Sequence, residues 1–331
     1  MKAMVLRQPG PVASAPLVVS KVPLPEPGPG EVRVGVRACG VCHTDLHVVE
    51  GELPPHRLPL IPGHEIVGVV DAVGQGVEAA WLGRRVGVAW LRWACGVCPQ
   101  CRAGRENLCP QARFTGWDAD GGYAEAAVVP AAFAFALPDA LDPTSAAPLL
   151  CAGIIGYRAL RQAGVRPGDR VGLFGFGASA HLALQVAMHW GCEVCVFTRA
   201  EAHRALARRM GAIWAGGTED APPGPLDAAV TFAPAGWVVK AALGWLRPGG
   251  TLAVNAVYLD KLPEMPYGLL YGERTLRSVA NATRRDGEAF LRLAAEIPLQ
   301  TACEPAPLAS ANEALQRLKA GRVNGAVVLI P

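Results

Sequence analysis

Four closely spaced cysteines carry the strongest chemical signal in this sequence of 331 residues. Cys95, Cys98, Cys101 and Cys109 lie in the segment CGVCPQCRAGRENLC, with the spacing C-x2-C-x2-C-x7-C. Four thiolates from one short loop can surround a zinc ion tetrahedrally at about 2.3 Å per bond and leave no position for a substrate. Iron–sulfur runs have a related spacing, and four unrelated thiols are the remaining interpretation. We favour a closed, structural zinc site.

Three distant segments carry side chains that could form a second, open metal site. They contain Cys42 in ACGVCHTDLH, His64 in PGHE and Cys151 in PLLCAG. Two cysteines and one histidine leave a fourth tetrahedral position for water or substrate, which is the catalytic arrangement of zinc. Taken singly, a cysteine in an apolar segment is usually a small buried side chain. Spacing alone cannot show that these three segments meet.

A glycine-rich turn is typical of a dinucleotide site. It has the pattern G-x-G-x-x-A, follows the apolar run 171–174 and opens a predicted helix at 179–189. The two glycines allow a tight turn and a close approach of the pyrophosphate, and the final alanine packs the helix on the strand. The phosphates then meet the helix N-terminus. The residues are Gly175, Phe176, Gly177, Ala178, Ser179 and Ala180.

The choice of cofactor is expected about 20 residues further on, where an acidic side chain binds the ribose 2′-hydroxyl of NAD. This sequence has Thr198 and Arg199 there and no acid. A neutral threonine does not repel a 2′-phosphate, and Arg199 can pair with it, so we predict a preference for NADP(H). The alternative is that Arg199 is a solvated residue at a helix start and that NAD(H) is used.

The elements that must position these residues fall into two kinds. The first ~150 residues read as short apolar strands, such as 32–36 and 66–70, separated by Gly/Pro turns. After them, predicted strands alternate with predicted helices, which implies a parallel, doubly wound sheet in an α/β fold. These strands cover 171–174, 194–198, 228–232 and 251–257, and the helices cover 179–189, 200–210 and 237–246. The C-terminal segment has predicted helices at 288–296 and 309–318 and a strand at 326–330.

Composition bounds the class of protein and its partners. Apolar residues make up 51% and charged residues 18% of the chain, which is enough for two packed cores. The net charge is +3 and the Lys and Arg residues are scattered, so we expect no nucleic-acid partner. The longest nearly uncharged stretch, 126–137, contains Pro130 and is shorter than the ~18 residues of a membrane helix. We therefore expect no membrane partner.

The N-terminus opens on a strand-like segment without the apolar core of a signal peptide, so we expect a soluble cytoplasmic protein. In that setting ten cysteines indicate metal binding or catalysis rather than disulfides. Those outside the two candidate metal sites are interpreted as buried or half-buried thiols: Cys39, Cys192, Cys195 and Cys303. Arg greatly outnumbers Lys and Pro is abundant; a thermophilic source and a GC-rich genome explain that bias equally well.

The motifs together resemble the zinc-containing medium-chain dehydrogenase/reductase family, specifically its alcohol dehydrogenases. The matching segments are CGVCHTDLHVVEG, LPLIPGHEIVG, the four-cysteine loop, DGGYAE, PLLCAG and VGLFGFGASAHLA. The resemblance implies a GroES-like, β-rich catalytic domain with both zinc sites, formed by residues 1–150 and 276–331. It also implies a Rossmann dinucleotide-binding domain over residues 151–275. Two zinc ions per chain and a homo-oligomer, tetramer or dimer, follow from the same resemblance.

The family's functional residues carry over position by position. The resemblance implies that Cys42, His64 and Cys151 bind the catalytic zinc and that Glu65 is an acidic neighbour able to approach it. Asp45 matches the carboxylate that orients the ligand histidine, a common supporting role. Thr44 and His47 match a proton relay from the alcohol to solvent, and His43 matches a position beside the cofactor phosphates. Zinc then acidifies the alcohol, and the nicotinamide accepts the hydride.

Some expected features are missing or open. Many relatives place an arginine on the cofactor pyrophosphate near the C-terminus, where this chain offers Gly325 or Ala326, so no residue is assigned that role. Trp90 and Trp117 are candidates for the substrate-pocket wall. The resulting hypothesis is an enzyme for primary aliphatic or aromatic alcohols and aldehydes. The alternatives are a relative acting on a polyol, formaldehyde adduct or cinnamyl-type aldehyde, and a non-catalytic zinc- and NADP-binding protein.

Overall fold

The structure is a computed structural model that describes residues 1–139, 141–323 and 325–331. It divides into two compact units. The first unit comprises Met1–Cys151 and Asn281–Pro331, and the second comprises Ala152–Ala280. In the described part of the chain, no helix is long and apolar enough to cross a membrane.

The described residues form β-strands, α-helices and short 3-10 helices. The strands are β1 (Lys2–Leu6), β2 (Leu17–Lys21), β3 (Glu31–Gly40), β4 (Glu65–Val73), β5 (Arg85–Val88), β6 (Leu91–Trp93), β7 (Arg113–Phe114), β8 (Ala126–Pro130), β9 (Ala134–Ala136), β10 (Arg170–Phe174), β11 (Glu193–Phe197), β12 (Trp214–Gly216), β13 (Leu226–Thr231), β14 (Leu246–Val254), β15 (Thr275–Ser278), β16 (Cys303–Pro307) and β17 (Ala326–Ile330). The α-helices are α1 (His43–Glu50), α2 (Pro99–Arg102), α3 (Pro143–Ala146), α4 (Ala152–Gln162), α5 (Ala178–His189), α6 (Glu201–Arg209), α7 (Gly236–Trp245), α8 (Arg284–Glu296) and α9 (Ala311–Lys319). The 3-10 helices cover Val12–Ser14, Ala79–Trp81, Glu106–Leu108, Ala131–Phe133, Ala147–Leu150, Tyr267–Leu269 and Leu308–Ser310.

The first unit is built on a sheet with the strand order β16-β17-β3-β4-β5-β9, and β8 pairs with the beginning of β3. Only β16 and β17 run parallel; the other neighbours are antiparallel. Along β3, Val32, Val34 and Val36 are buried and alternate with less buried residues. This two-residue period is that of a strand with one face in a core. Because Gly40 pairs with Glu65, the end of β3 that leads to α1 and the start of β4 next to His64 lie at the same end of the sheet.

The second unit contains a six-stranded parallel sheet with the order β12-β11-β10-β13-β14-β15. The order reverses between β10 and β13, and ligands bind in doubly wound sheets at such a reversal. Strand β10 has four consecutive buried residues, the continuous apolar run expected of a central parallel strand. The rings of Phe174 and Phe197 stack with centroids 4.1 Å apart. The predicted α/β fold with a parallel, doubly wound sheet is confirmed.

Several predicted boundaries are displaced. The boundary at 276 falls inside β15, which pairs with β14, so the second unit continues to Ala280. Helix α8 begins four residues before the predicted start at 288, because Thr283 and Asp286 form a reciprocal capping box. Strand β14 begins at Leu246 rather than 251, since its first residue already pairs with Leu226. Apolar periodicity fixes the middle of an element, whereas caps and pairing fix its ends.

Replacing Phe174 by alanine should lower the free energy of unfolding of the second unit by roughly 3–5 kcal/mol, because it empties a fully buried ring site. Urea unfolding followed by circular dichroism measures this loss. Tyr267→Ala is the control, since that side chain is 74% exposed in the same unit. If Phe174→Ala and Tyr267→Ala unfold at the same urea concentration, the packing assigned to this sheet is wrong.

Candidate active site

Cys42 is held at the start of α1 by a capping box. The N–H of Thr44 donates to Cys42 Sγ at 3.5 Å, and the N–H of Cys42 donates to Asp45 Oδ2 at 2.9 Å. These two bonds fix both the backbone and the sulfur of Cys42. A helix N-terminus also favours a negative charge, so this position stabilises a thiolate.

His64 is oriented by the same carboxylate. His64 and Asp45 are both buried, and His64 Nδ1 lies 2.9 Å from Asp45 Oδ1. Burial alone would lower the pKa of His64, but the Asp45 carboxylate raises it well above its usual value. When the neutral ring donates from Nδ1 to Asp45, its lone pair is on Nε2. Nε2 is buried and has no hydrogen-bond partner among the described residues.

The three predicted segments meet at one point. The ligand atoms of Cys42, His64, Glu65 and Cys151 lie within 4.8 Å of one another, and the two sulfurs are 3.7 Å apart. The hydrogen bond from the Cys151 thiol lowers the pKa of Cys42 well below its usual value, and burial raises the pKa of Glu65. Glu65 Oε2, like His64 Nε2, is buried without a partner in the described structure. A zinc ion fits this donor set and would satisfy these orphaned atoms.

Thr44 and His47 lie three residues apart on α1, on one face of the helix. Thr44 is buried with Oγ1 3.7 Å from Cys42 Sγ, whereas His47 is half-buried. His47 Nδ1 is 2.5 Å from Glu52 Oε2, which leaves Nε2 as its second site for a proton. His43, the first residue of α1, is exposed. Helix α1 thus carries two groups that can exchange protons, the hydroxyl of Thr44 next to the buried cluster and the ring of His47 nearer to solvent.

An aromatic wall lies beside the cluster of Cys42, His64, Glu65 and Cys151. The Trp90 ring contacts His64 edge-on, with centroids 4.8 Å apart at 70°. Trp90 stacks on Phe114 at 5.1 Å and on Trp117 at 5.9 Å. Trp117 donates its ring N–H to the carbonyl of Pro54 at 2.9 Å, which holds the ring in place. These three rings form an aromatic wall within the first unit.

The four-cysteine loop forms a separate cluster. The ligand atoms of Cys95, Cys98, Cys101 and Cys109 lie within 4.8 Å of one another. Backbone N–H groups donate to the sulfurs of Cys95, Cys98 and Cys109 at 3.3–3.5 Å. Hydrogen bonds from the N–H groups of Val97 and Cys98 lower the pKa of Cys95 to about 6. Four converging sulfurs, three of which accept a backbone N–H, suit a tetrahedral zinc ion with no open position.

The loop is tied to the C-terminal part of the first unit by one ion pair. Glu106, between the third and fourth cysteines, accepts from the backbone N–H of Arg284 at 2.7 Å and from its guanidinium at 2.8–3.1 Å. The guanidinium also lies over the Phe133 ring at 4.4 Å. Such a bidentate pair fixes orientation as well as distance. It anchors the loop to the first turn of α8.

In the second unit, the glycine-rich turn joins β10 to α5. Gly175 has φ +88° and its N–H donates to the carbonyl of Phe197 at 2.8 Å. Gly177 is the N-cap of α5, where an added Cβ would meet nothing within 4 Å and no side chain caps the described helix end. Ala180 is fully buried against the sheet. The free N–H groups and open space at this terminus suit a phosphate.

The end of β11 carries the residues predicted to read the ribose. Thr198 is buried, and its N–H donates to the carbonyl of Gly216 at 2.9 Å, whereas Arg199 is exposed. Arg204 donates to the carbonyls of Thr198 and Arg199 at 2.9 and 3.2 Å. Glu201, the nearest acid after this strand, pairs with Arg204 and with Arg208.

Comparison with known proteins decides the family. The description "Alcohol dehydrogenase GroES-like domain" matches residues 28–139. The chain is 51% identical to the probable alcohol dehydrogenase AdhA of Mycobacterium tuberculosis over 336 aligned residues, which cover 100% of this chain and 97% of the relative. The chain belongs to the zinc-containing alcohol dehydrogenases of the medium-chain dehydrogenase/reductase family.

Two solved dehydrogenase structures support this assignment. The cinnamyl alcohol dehydrogenase SbCAD4 of Sorghum bicolor has a TM-score of 0.90 at 30% identity, covering 99% of this chain and 97% of that one. A cobalt- and zinc-bound thermostable alcohol dehydrogenase of Pyrobaculum aerophilum has a TM-score of 0.90 at 29% identity, covering 100% and 99%. With the matched GroES-like domain, they confirm the prediction that the chain contains both a GroES-like and a Rossmann domain. This alcohol dehydrogenase is therefore an oxidoreductase.

The structure adds groups that the spacing of motifs does not single out. Glu52 holds His47, Phe114 extends the aromatic wall, and His56 lies 4.1 Å from the Trp117 ring and 2.6 Å from Asp118 Oδ1. Tyr123 lies in the motif DGGYAE, and the motif alone does not show that its hydroxyl contacts Asp45. Exposed polar residues and single aromatic residues have no spacing that marks them, so nothing in the sequence alone could have identified their partners.

Substituting one ligand in either cluster should remove one metal ion per chain and leave the other. We expect Cys98→Ser to lose the ion of the four-cysteine loop and Cys42→Ser to lose the ion beside His64. Cys303→Ser lies outside both clusters and should keep the wild-type content. Plasma mass spectrometry of the purified proteins counts the ions and separates zinc from iron. Equal metal content in all the variants would refute this choice of ligands.

Proposed function

We propose that this enzyme interconverts primary alcohols, aliphatic or aromatic, and their aldehydes, with a catalytic zinc held by Cys42, His64 and Cys151. The observation that carries the proposal is the buried Nε2 of His64, which has no partner among the described residues and is aimed into a cluster that also holds two sulfurs and the orphaned Glu65 carboxylate. A buried nitrogen without a partner is costly, and a metal ion resolves that cost. A second zinc in the four-cysteine loop is part of the proposal.

Zinc bound in this cluster supplies a Lewis acid that lowers the pKa of an alcohol, and the nicotinamide supplies the hydride acceptor. Asp45 keeps the proton of His64 on Nδ1, so that Nε2 stays available. Thr44 Oγ1 is placed to accept the alcohol proton and can donate its own. His47 Nε2 passes the proton to solvent, while Glu52 holds the opposite nitrogen of the ring.

The aromatic wall supports the proposed substrate class. Trp90, Phe114 and Trp117 present stacked rings beside His64. An apolar wall of this kind gains from burying a phenyl ring or an unbranched chain, whereas a polyol would leave its hydroxyl groups unpaired against it. Benzyl-type and short primary alcohols are therefore preferred. A cinnamyl-type aldehyde, which carries an aromatic ring, is the alternative substrate.

The end of β11 supports NADP(H) as the preferred cofactor, with NAD(H) as the alternative. Thr198 puts no charge where a carboxylate would bind the 2′-hydroxyl of NAD. Arg199 is exposed and can reach a phosphate, and the Glu201 carboxylate is occupied by Arg204 and Arg208. In the other strand-to-helix turn, the N-terminus of α5 would take the pyrophosphate.

The proposal includes a homo-oligomer, tetramer or dimer. Strand β15 is the last strand of the parallel sheet of the second unit, and three of its four residues are exposed. A sheet edge of this kind can pair with the same edge of a second chain in a symmetric contact.

Steady-state assays with benzyl alcohol, 1-butanol and sorbitol, each with NAD and with NADP, test the proposed substrate class. We expect kcat/KM for the first two alcohols to exceed that for sorbitol by about tenfold or more, because a hydroxyl left unpaired in an apolar pocket is penalised. The zinc content of the same sample is the accompanying control. A zinc-replete protein that turns over sorbitol as well as benzyl alcohol would refute the role given to the aromatic wall.

Thr198→Asp should reverse the cofactor preference. A carboxylate at this position repels a 2′-phosphate and accepts from a 2′-hydroxyl, so kcat/KM with NADP should fall by roughly 10–100-fold while that with NAD is kept or rises. Thr198→Ser, which adds no charge, should behave like the wild type. If the ratio of NADP to NAD efficiency is the same in all three proteins, another residue selects the cofactor.

A further inference from the structure

The segment that contains the motif DGGYAE lies directly against the backbone that leads to His64. Residues 121–123 donate their N–H groups to the carbonyls of residues 61–63 at 2.7–3.0 Å. The carbonyl of Tyr123 in turn accepts from the N–H of Met4 at 2.8 Å. These bonds hold Tyr123 in a fixed position relative to the residue that precedes the metal-site histidine.

Glycines make this close approach possible. A Cβ on Gly121 would lie 2.0 Å from the carbonyl oxygen of Gly63, and a Cβ on Gly122 would lie 2.4 Å from the Ile66 side chain. Gly63 itself has φ +100°, and a Cβ there would lie 2.4 Å from the Tyr123 ring. The ring therefore packs on the backbone of Gly63 at a distance that no other residue type would allow.

Tyr123 is completely buried, and its hydroxyl donates to Asp45 Oδ2 at 3.2 Å. Oδ2 also accepts from the N–H of Cys42 at 2.9 Å. Oδ1 accepts from His64 Nδ1 at 2.9 Å and from the N–H of Gly63 at 3.2 Å. Each carboxylate oxygen thus has two donors, and Tyr123 provides the only side-chain donor on Oδ2 among the described residues. Removing it leaves that oxygen with the Cys42 N–H alone.

We propose that Tyr123 is a positioning residue, which fixes the rotation of the Asp45 carboxylate and through it the direction in which His64 presents Nε2 to the catalytic metal. This role rests on the proposed function, because it takes Cys42, His64 and Cys151 to be the ligands of that metal. Tyr123 acts through Asp45 and has no part in binding the substrate. Its hydroxyl aligns the pair, and its ring packs on Gly63.

Tyr123→Phe separates these two contributions, because it removes the hydroxyl and keeps the ring. Partners that orient a metal ligand commonly change metal affinity by about 10–100-fold when lost. Tyr123 is one hydrogen bond further out, so we expect the catalytic zinc to be released about 3–10-fold faster from Tyr123→Phe than from the wild type. The zinc of the four-cysteine loop should be released at the wild-type rate, since that cluster shares no ligand with this network.

The experiment uses the full chain loaded with zinc and follows transfer of zinc to the indicator 4-(2-pyridylazo)resorcinol. The cobalt(II) form supplies a second readout, since the absorption bands of cobalt report the geometry of its ligands. We expect these bands to shift in Tyr123→Phe while the thermal unfolding midpoint stays close to that of the wild type. Tyr271→Phe, in which the same change is made at a side chain that is 70% exposed, is the matched control.

A double-mutant cycle with Asp45→Asn keeps the inference testable if the single variant is less stable than expected. If Tyr123 acts through Asp45, the effect of Tyr123→Phe on zinc release should largely disappear in the Asp45→Asn background. Zinc release and cobalt spectra in Tyr123→Phe that match those of Tyr271→Phe would overturn the positioning role, and so would fully additive effects in the cycle. A wild-type protein that binds zinc only in the four-cysteine loop would overturn the proposed function as well, so the two failures are distinguishable.

Discussion

The buried carboxylate of Asp45 is the group on which the geometry of the first unit's site depends. It caps α1 at Cys42, accepts from His64 and is pinned by the N–H of Gly63. A carboxylate removed from water is unfavourable unless its oxygens are hydrogen-bonded, and each of these bonds comes from a different part of the site. The hydrogen bonds that stabilise the buried Asp45 carboxylate therefore fix the relative positions of α1, His64 and the turn at Gly63. The position of Cys42 relative to His64 follows from that arrangement.

Backbone N–H groups stabilise negative charge at several points of the protein. Cys42 and Cys98 are both N-cap residues, and each sulfur accepts a backbone N–H at 3.5 Å. The N-terminus of α5 lacks such a cap in the described structure and has open space in front of Gly177. The first two termini are satisfied by side chains of the protein itself, whereas the third has no side-chain cap. The same backbone donors at helix starts thus bond to cysteine sulfurs in one unit and suit a phosphate in the other.

The features that the sequence could predict are those encoded over short distances. The four cysteines lie within one loop. The glycines of the turn after β10 lie directly between the strand and the helix that identify the turn as a dinucleotide site. The meeting of Cys42, His64 and Cys151 is different, because it depends on how β3, β4 and the 3-10 helix before Cys151 pack. Resemblance to a family supplied that step, since spacing could not. Element ends were misplaced where a cap or a pairing partner, such as Thr283 or Leu226, decides them.

The part of the site that the sequence does not reveal is the close packing of residues 121–123 on the backbone of residues 61–63. In the sequence, DGGYAE is only one of the segments that carry the family resemblance, and none of its residues is assigned a role. In the structure the two glycines of this segment have no room for a larger side chain, which is excluded at Gly121 by the carbonyl oxygen of Gly63 and at Gly122 by the side chain of Ile66. Their small size is what allows the Tyr123 hydroxyl to reach Asp45. A substitution at Gly121 or Gly122 would therefore draw the Tyr123 hydroxyl away from Asp45, because the tyrosine would move with its backbone.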